Sequence, residues 1–133
     1  MKQTPRGIRN NNPLNIRIGN VWLGECTENT DGEFEQFVSM KYGLRAAFVL
    51  LRRYICHYRL LTIKQIVARW APSKENDTER YIKFVSARSG IPSTYELSFS
   101  DQNRMVDLVE AMVFFENGQA ISKTIIVESY KLA

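Results

Sequence analysis

The chain has 133 residues, of which 44% are hydrophobic and 24% charged, with seven Gly and four Pro. This excludes disordered, collagen-like and Pro-rich low-complexity chains, and predicts one domain over 1–133 whose core needs no metal or disulfide. Eighteen Lys and Arg against fourteen Asp and Glu give a net charge of +4, a mild pull toward polyanions that selects none of nucleic acid, anionic membrane or cell-wall carboxylates and phosphates.

Residues 1–13 are polar and end in Asn10-Asn11-Asn12-Pro13, a loop composition, with 1–6 expected as a flexible tail. The opening MKQTPRGIRNNNPLNIR has no apolar core of the secretory type. The chain is therefore expected to be made in the cytoplasm and to leave by another route. The longest apolar run, 46–51, has six residues, against about twenty for a membrane span. Two β-like stretches, 21–23 and 33–38, flank Asn29-Thr30-Asp31-Gly32, and Asp-Gly between apolar stretches predicts a small hairpin over 19–38.

From Met40 the pattern turns helical: Leu44, Ala47, Phe48, Leu51, Tyr54 and Ile55 share one face. Thr62 with Gln65 reads as a capping box for a helix to Trp70, and Asn76 with Glu79 as a second for a helix to about Ser86. Ser100 caps a helix through Glu116 that Gly118 stops, and Ser122 opens a short last helix. The predicted class is α+β, predominantly helical with a small hairpin near the N-terminus.

Cys26 and Cys56 form no CxxC pair, so zinc-finger spacing is excluded and both read as free thiols. His57 has no second His or suitable nucleophile nearby in sequence. Phosphate-loop, dinucleotide, GxSxG and HExxH patterns are missing. The reading requires neither metal nor organic cofactor.

One carboxylate resists a bland explanation. Met105, Leu108, Val109, Met112 and Val113 form the apolar face of the 101–116 helix, and Glu116 follows Met112 by four residues and Val113 by three. Those spacings put Glu116 on the buried stripe, in the last turn where the helix dipole is negative. Both conditions favour the protonated acid, which is what a general acid for glycosidic cleavage requires. The structural alternative is a Glu that curls out to solvent at the helix end or meets an Arg. Two further features fit a sugar ligand. Arg9 to Arg17 carries four Asn, whose amides match hydroxyl and acetamido groups, or else cap their own turn. Trp70 and Tyr81 flank a polar loop containing Asn76, a platform for sugar faces or simply core edge.

The segments GIRNNNPLNIR (7–17), YGLRAAFVLLRRY (42–54), IVARWAPSKENDTERYIKFVS (66–86) and AMVFFENG (111–118) resemble a group of small phage and prophage lytic proteins. That group includes the virion-associated wall-degrading enzymes of double-stranded RNA bacteriophages and belongs with the lysozyme-like lytic transglycosylases. The resemblance spans about residues 7–130. The Asn-rich loop is also similar to the NNLFGIK segment of bacterial glucosaminidases. In the usual transglycosylase order the catalytic Glu segment comes first, whereas here its counterpart comes last, which implies a circular permutation of the lysozyme-like domain. Leu14 departs from the pattern, where the group implies Gly.

The resemblance implies cleavage of the β-1,4 bond between N-acetylmuramic acid and N-acetylglucosamine in peptidoglycan. Glu116 would be the catalytic acid and Tyr81 its positioning partner, with Asn11, Asn12, Asn15, Arg17, Trp70 and Asn76 holding the glycan. A hydrolase needs a second carboxylate, and Glu25 is the first candidate ahead of Asp31, Glu33 and Glu35; a lytic transglycosylase needs one acid only. The expected partners are peptidoglycan strands, with other phage or secretion-machine components, and the place of action is the wall or periplasm, in a virion or outside one. The alternatives are a muramidase or glucosaminidase-type hydrolase and a non-catalytic phage structural or wall-binding protein. Nucleic-acid binding is disfavoured because basic residues are dispersed and Arg52-Arg53 reads as a solvated face.

Overall fold

The helix over Gln102–Asn117 is the central element, burying Met105, Val106, Leu108, Val109, Ala111, Met112 and Val113. Each fully buried side chain of this size contributes about 2 kcal/mol of hydrophobic stabilisation. The computed structural model describes residues 4–74 and 76–133; residues 1–3 of the expected tail, and Glu75 in the loop after Trp70, lie outside the described residues. The elements in chain order are α1 (Arg6–Arg9), α2 (Met40–Cys56), α3 (Ile63–Trp70), α4 (Thr78–Ser89), α5 (Gln102–Asn117) and α6 (Lys123–Leu132). Helix α5 packs against α4, α6 and the short α1, while α2 packs on α6 and α3 on α4.

The predicted helices form where the periodicity places them. The α2 face is buried at Leu44, Ala47, Phe48, Leu51 and Ile55. Phe48 meets Tyr130 of α6 edge-on at 5.4 Å. Both bonds of the Thr62–Gln65 capping box are made. The other caps shift by one residue: Asp77, not Asn76, accepts from the Arg80 amide, and Asp101, not Ser100, accepts from Arg104. In each case the carboxylate adjacent to the expected cap takes the position. Gly90 and Gly118 close α4 and α5 at φ 74° and 69°, left-handed conformations that glycine adopts without strain.

The hairpin does not form, and the α+β class is corrected to an all-helical one: among the described residues there are six helices and no strand or sheet. In place of the hairpin there are two isolated bridging pairs, Glu25 with Phe37 inside 19–38 and Arg17, before it, with Phe34. Asp31 makes its local turn bonds, accepting from the backbone N–H groups of Glu33 and Phe34, but it is also tied to distant residues. Its carboxylate accepts from Arg6 at 2.6 and 2.8 Å, from Asn10 at 3.0 Å and from the backbone N–H of Phe34 at 2.9 Å. These bonds, led by Arg6, hold the acid well below the usual carboxylate range. The backbone of 33–38 is then satisfied by the Asn-rich loop together with Gly24 and Cys26 rather than by 21–23. Glu35 N donates to the Ile16 carbonyl, Phe37 N donates to the Asn10 carbonyl, and the Asn12 amide donates to the Glu35 carbonyl. The expected loop at 1–13 also contains α1, which the sequence reading missed.

Gly43 shows how closely that loop is seated. A Cβ on this buried α2 residue would overlap the carbonyl oxygen of Asn11. Glycine is unfavourable inside a helix by about 1 kcal/mol, and here the contact with the loop requires it. Gly43→Ala is expected to destabilise the protein by about 2–3 kcal/mol through forced displacement of the loop, measured by urea unfolding.

Candidate active site

The loop after α1 and the last turn of α5 meet, although they are far apart in sequence. Asn117, the final residue of α5, donates to the carbonyls of Pro13 (2.8 Å) and Val113 (2.9 Å), tying loop and helix together. Next to it, the Glu116 side chain enters a cleft of about 610 Å³ whose walls include Asn15, Arg17, Phe34, Arg69, Trp70, Asn76 and Tyr81. One carboxylate oxygen, Oε1, accepts from the Asn15 amide at 2.9 Å, and the other, Oε2, accepts from the Tyr81 hydroxyl at 2.8 Å.

Two opposing influences set the proton affinity of this group. Removal from water favours the neutral acid; the donors Asn15 and Tyr81, with the nearby Trp70 indole, favour the anion. Burial dominates, and the pKa is raised from 4.5 to about 7. Glu116 is nonetheless only half-buried overall, since its open side faces the cleft. Tyr81 is itself buried against the Phe115 ring, centroids 4.2 Å apart. Burial and the neighbouring carboxylate push its hydroxyl well above the usual value, so it remains a proton-bearing donor. The Trp70 indole N–H donates to the Leu14 carbonyl at 3.3 Å, anchoring the platform to the loop. Leu14, the departure from the lytic pattern, is buried at the cleft floor.

Of the residues selected from sequence, Asn15, Arg17, Trp70, Asn76, Tyr81 and Glu116 come together around the cleft. Asn11 and Asn12 do not. The Asn11 amide donates to the Phe37 carbonyl at 3.0 Å. Asn12 is fully buried, donating to the carbonyls of Ile16 and Glu35 and accepting from the Ile16 N–H, all at 3.0 Å. Both side chains serve as backbone substitutes inside the loop. Glu25 is not brought to the cleft either. It lies beside Glu35, a buried carboxyl whose pKa is raised by burial first and then by the charge of Glu25.

Sequence reading overlooked Phe34 and Arg69. Phe34 lines the cleft with Arg6 and Arg17 on its ring, 4.5 and 5.1 Å from the centroid. A cationic residue on either side of a lone aromatic in the folded loop has no periodic signature. His57 ends α2 in solvent, and Cys26 and Cys56 are free. Among the described residues, no three His, Cys, Asp or Glu side chains are grouped to hold a metal ion, and no helix is long and apolar enough to cross a membrane.

No protein-family model matches the chain. Protein P5 of Pseudoalteromonas phage PM2 is 42% identical to it over 122 residues, a match covering 89% of this chain and 74% of P5. The chain belongs to the family of Protein P5.

The raised carboxyl makes a sign prediction. Between about pH 4.5 and 7 the folded chain keeps a proton that the unfolded chain has lost, so this group stabilises the fold below about pH 4.5 and loses that contribution as pH rises through 7. Glu116→Gln removes the titration. The stability of the variant relative to the parent is expected to rise by up to about 3 kcal/mol between pH 4 and pH 8, measured by chemical unfolding at both pH values. A difference that does not change with pH would contradict the assignment.

Proposed function

We propose that the protein cleaves the β-1,4 bond between N-acetylmuramic acid and N-acetylglucosamine in peptidoglycan, as a lytic transglycosylase with Glu116 as its acid. The observation that carries this reading is a carboxyl with pKa about 7, open to a cleft and bonded at both oxygens. Such a group is protonated often enough at neutral pH to donate, and its anion is well enough supported to accept afterwards.

In the proposed reaction the Glu116 proton passes to the leaving 4-oxygen as the C1–O bond breaks through an oxocarbenium-like state. The Glu116 carboxylate then takes the proton of the sugar's 6-hydroxyl, whose oxygen bonds to C1 and closes a 1,6-anhydro ring. Water is not consumed. Tyr81 and Asn15 hold the carboxyl and support its charged form between the two steps. Trp70 offers a face to a sugar ring, and Arg17 and Asn76 border the same cleft. Among the described residues Glu116 is the one carboxylate lining that cleft, which favours the route that needs a single acid over hydrolysis with a paired carboxylate.

The reversed order of the catalytic segment and the Asn-rich loop is accounted for by circular permutation, and the contacts of Asn15 with Glu116 and of Asn117 with Pro13 support that account by joining the two segments in space. Kinship with a phage protein supports a phage setting, and the proposed substrate would place the activity at the wall or periplasm, in a virion or outside one.

Incubation with purified sacculi followed by mass spectrometry is expected to release fragments with 1,6-anhydro ends. Reducing ends would indicate a hydrolase, and no fragments a non-catalytic protein. Glu116→Gln is expected to reduce release at least a hundredfold, as for loss of a general acid, and the parent's rate to fall as pH rises past about 7. Tyr81→Phe removes one donor to the anion, so the descending limb of the pH profile is expected to move to higher pH, with kcat lower by about tenfold.

A further inference from the structure

Two arginines line the cleft, and their surroundings differ. Arg17 donates to Glu33 at 2.8 Å. Arg69, in the last turn of α3, is exposed and makes no ion pair with any described carboxylate. Its guanidinium lies instead over two tyrosine rings, 4.5 Å from the centroid of Tyr58 and 5.4 Å from that of Tyr54. A guanidinium held on aromatic faces is fixed in place, yet keeps its in-plane N–H groups for a carboxylate.

The position of this cation matters because a second hollow borders the cleft at the neighbouring Trp70. A second hollow of about 220 Å³ shares Asn15, Arg17 and Trp70 with the first and adds Asn20 and Tyr54. Tyr54 thus supports Arg69 and also lines the second hollow, and its ring meets Trp70 edge-on at 5.7 Å. Arg69 lines the first hollow and lies over Tyr54, which lines the second. A strand threaded through both would pass its substituents by an accessible cation with no acidic partner among the described residues.

We propose that Arg69 is a specificity residue that binds a carboxylate carried by the glycan strand, so that the cleft selects anionic strands over neutral N-acetylhexosamine polymers. This rests on the reading that the cleft takes peptidoglycan. The carboxylate has two sources in that polymer: the stem peptides, or the lactyl group once the peptide is removed.

The test uses sacculi free of phosphate polymers, native and with their carboxylates converted to neutral amides, together with strands stripped of peptide by an amidase. Binding by co-sedimentation and fragment release are both measured for the parent, Arg69→Gln and Arg69→Lys. The parent is expected to lose about tenfold in binding on amidated sacculi, as for one charge-assisted contact. Arg69→Gln is expected to bind native sacculi about tenfold less tightly and to be insensitive to amidation, with Arg69→Lys between the two. A preference retained on stripped strands assigns the lactyl group, and one lost there assigns the stem peptide. If Arg69→Gln responds to amidation as the parent does, or if the parent does not respond, the inference is overturned even where fragments are released. If the parent releases no fragments but shows the Arg69-dependent preference, the cleavage reading fails and the carboxylate site stands.

Discussion

The Glu116 carboxyl is deprived of water and supplied with hydrogen-bond donors at the same time. Burial without partners would push the pKa higher still, and partners without burial would leave it in or below the ordinary carboxylate range. Asn15 and Tyr81 act from opposite oxygens, and each is fixed by something other than the carboxyl: Asn15 by the loop that Asn117 ties down, Tyr81 by its burial against Phe115. The balance between the two influences is therefore a property of the fold, set by how α4, α5 and the loop after α1 are packed.

That loop behaves as a piece of secondary structure made from side chains. Asn10, Asn11 and Asn12 bond to the segment 31–37 in place of a strand ladder, and Asp31 draws Arg6 and Asn10 into the same network. Buried backbone groups must be paired somewhere, and this arrangement pairs them without a sheet. It also makes room for little variation. Gly43 meets the Asn11 carbonyl from α2, and Gly7 leaves space for the side-chain oxygens of Asn15 and Asn117. The rigidity that results fixes Asn15, the one asparagine of the loop that reaches the carboxyl.

Helix positions were legible in the sequence because one face of each had to be apolar, and that requirement writes a period. The same period singled out Glu116, an acid in register with Met112 and Val113. The hairpin was not legible as absent. Asp31-Gly32 has the local chemistry of a turn, and only the distant Arg6 and Asn10 show that the carboxylate is also tied by tertiary bonds. Asn11 and Asn12 were misplaced for a related reason: an amide that reads a sugar and an amide that replaces a strand are the same group, and composition cannot tell them apart. Arg69 left no trace because an exposed arginine on a helix is an ordinary surface residue until its neighbours are known.

The bond between Asn15 and Glu116 joins positions 101 residues apart. On the ribosome, at about 5–20 residues per second, the loop waits on the order of ten seconds before the residue that completes its pocket is made. Throughout that interval the nascent polypeptide has a seat but no acid to occupy it. A chain interrupted before the end of α5 would hold the loop without the acid, so any proton transfer that depends on their pairing is withheld until Glu116 has been made.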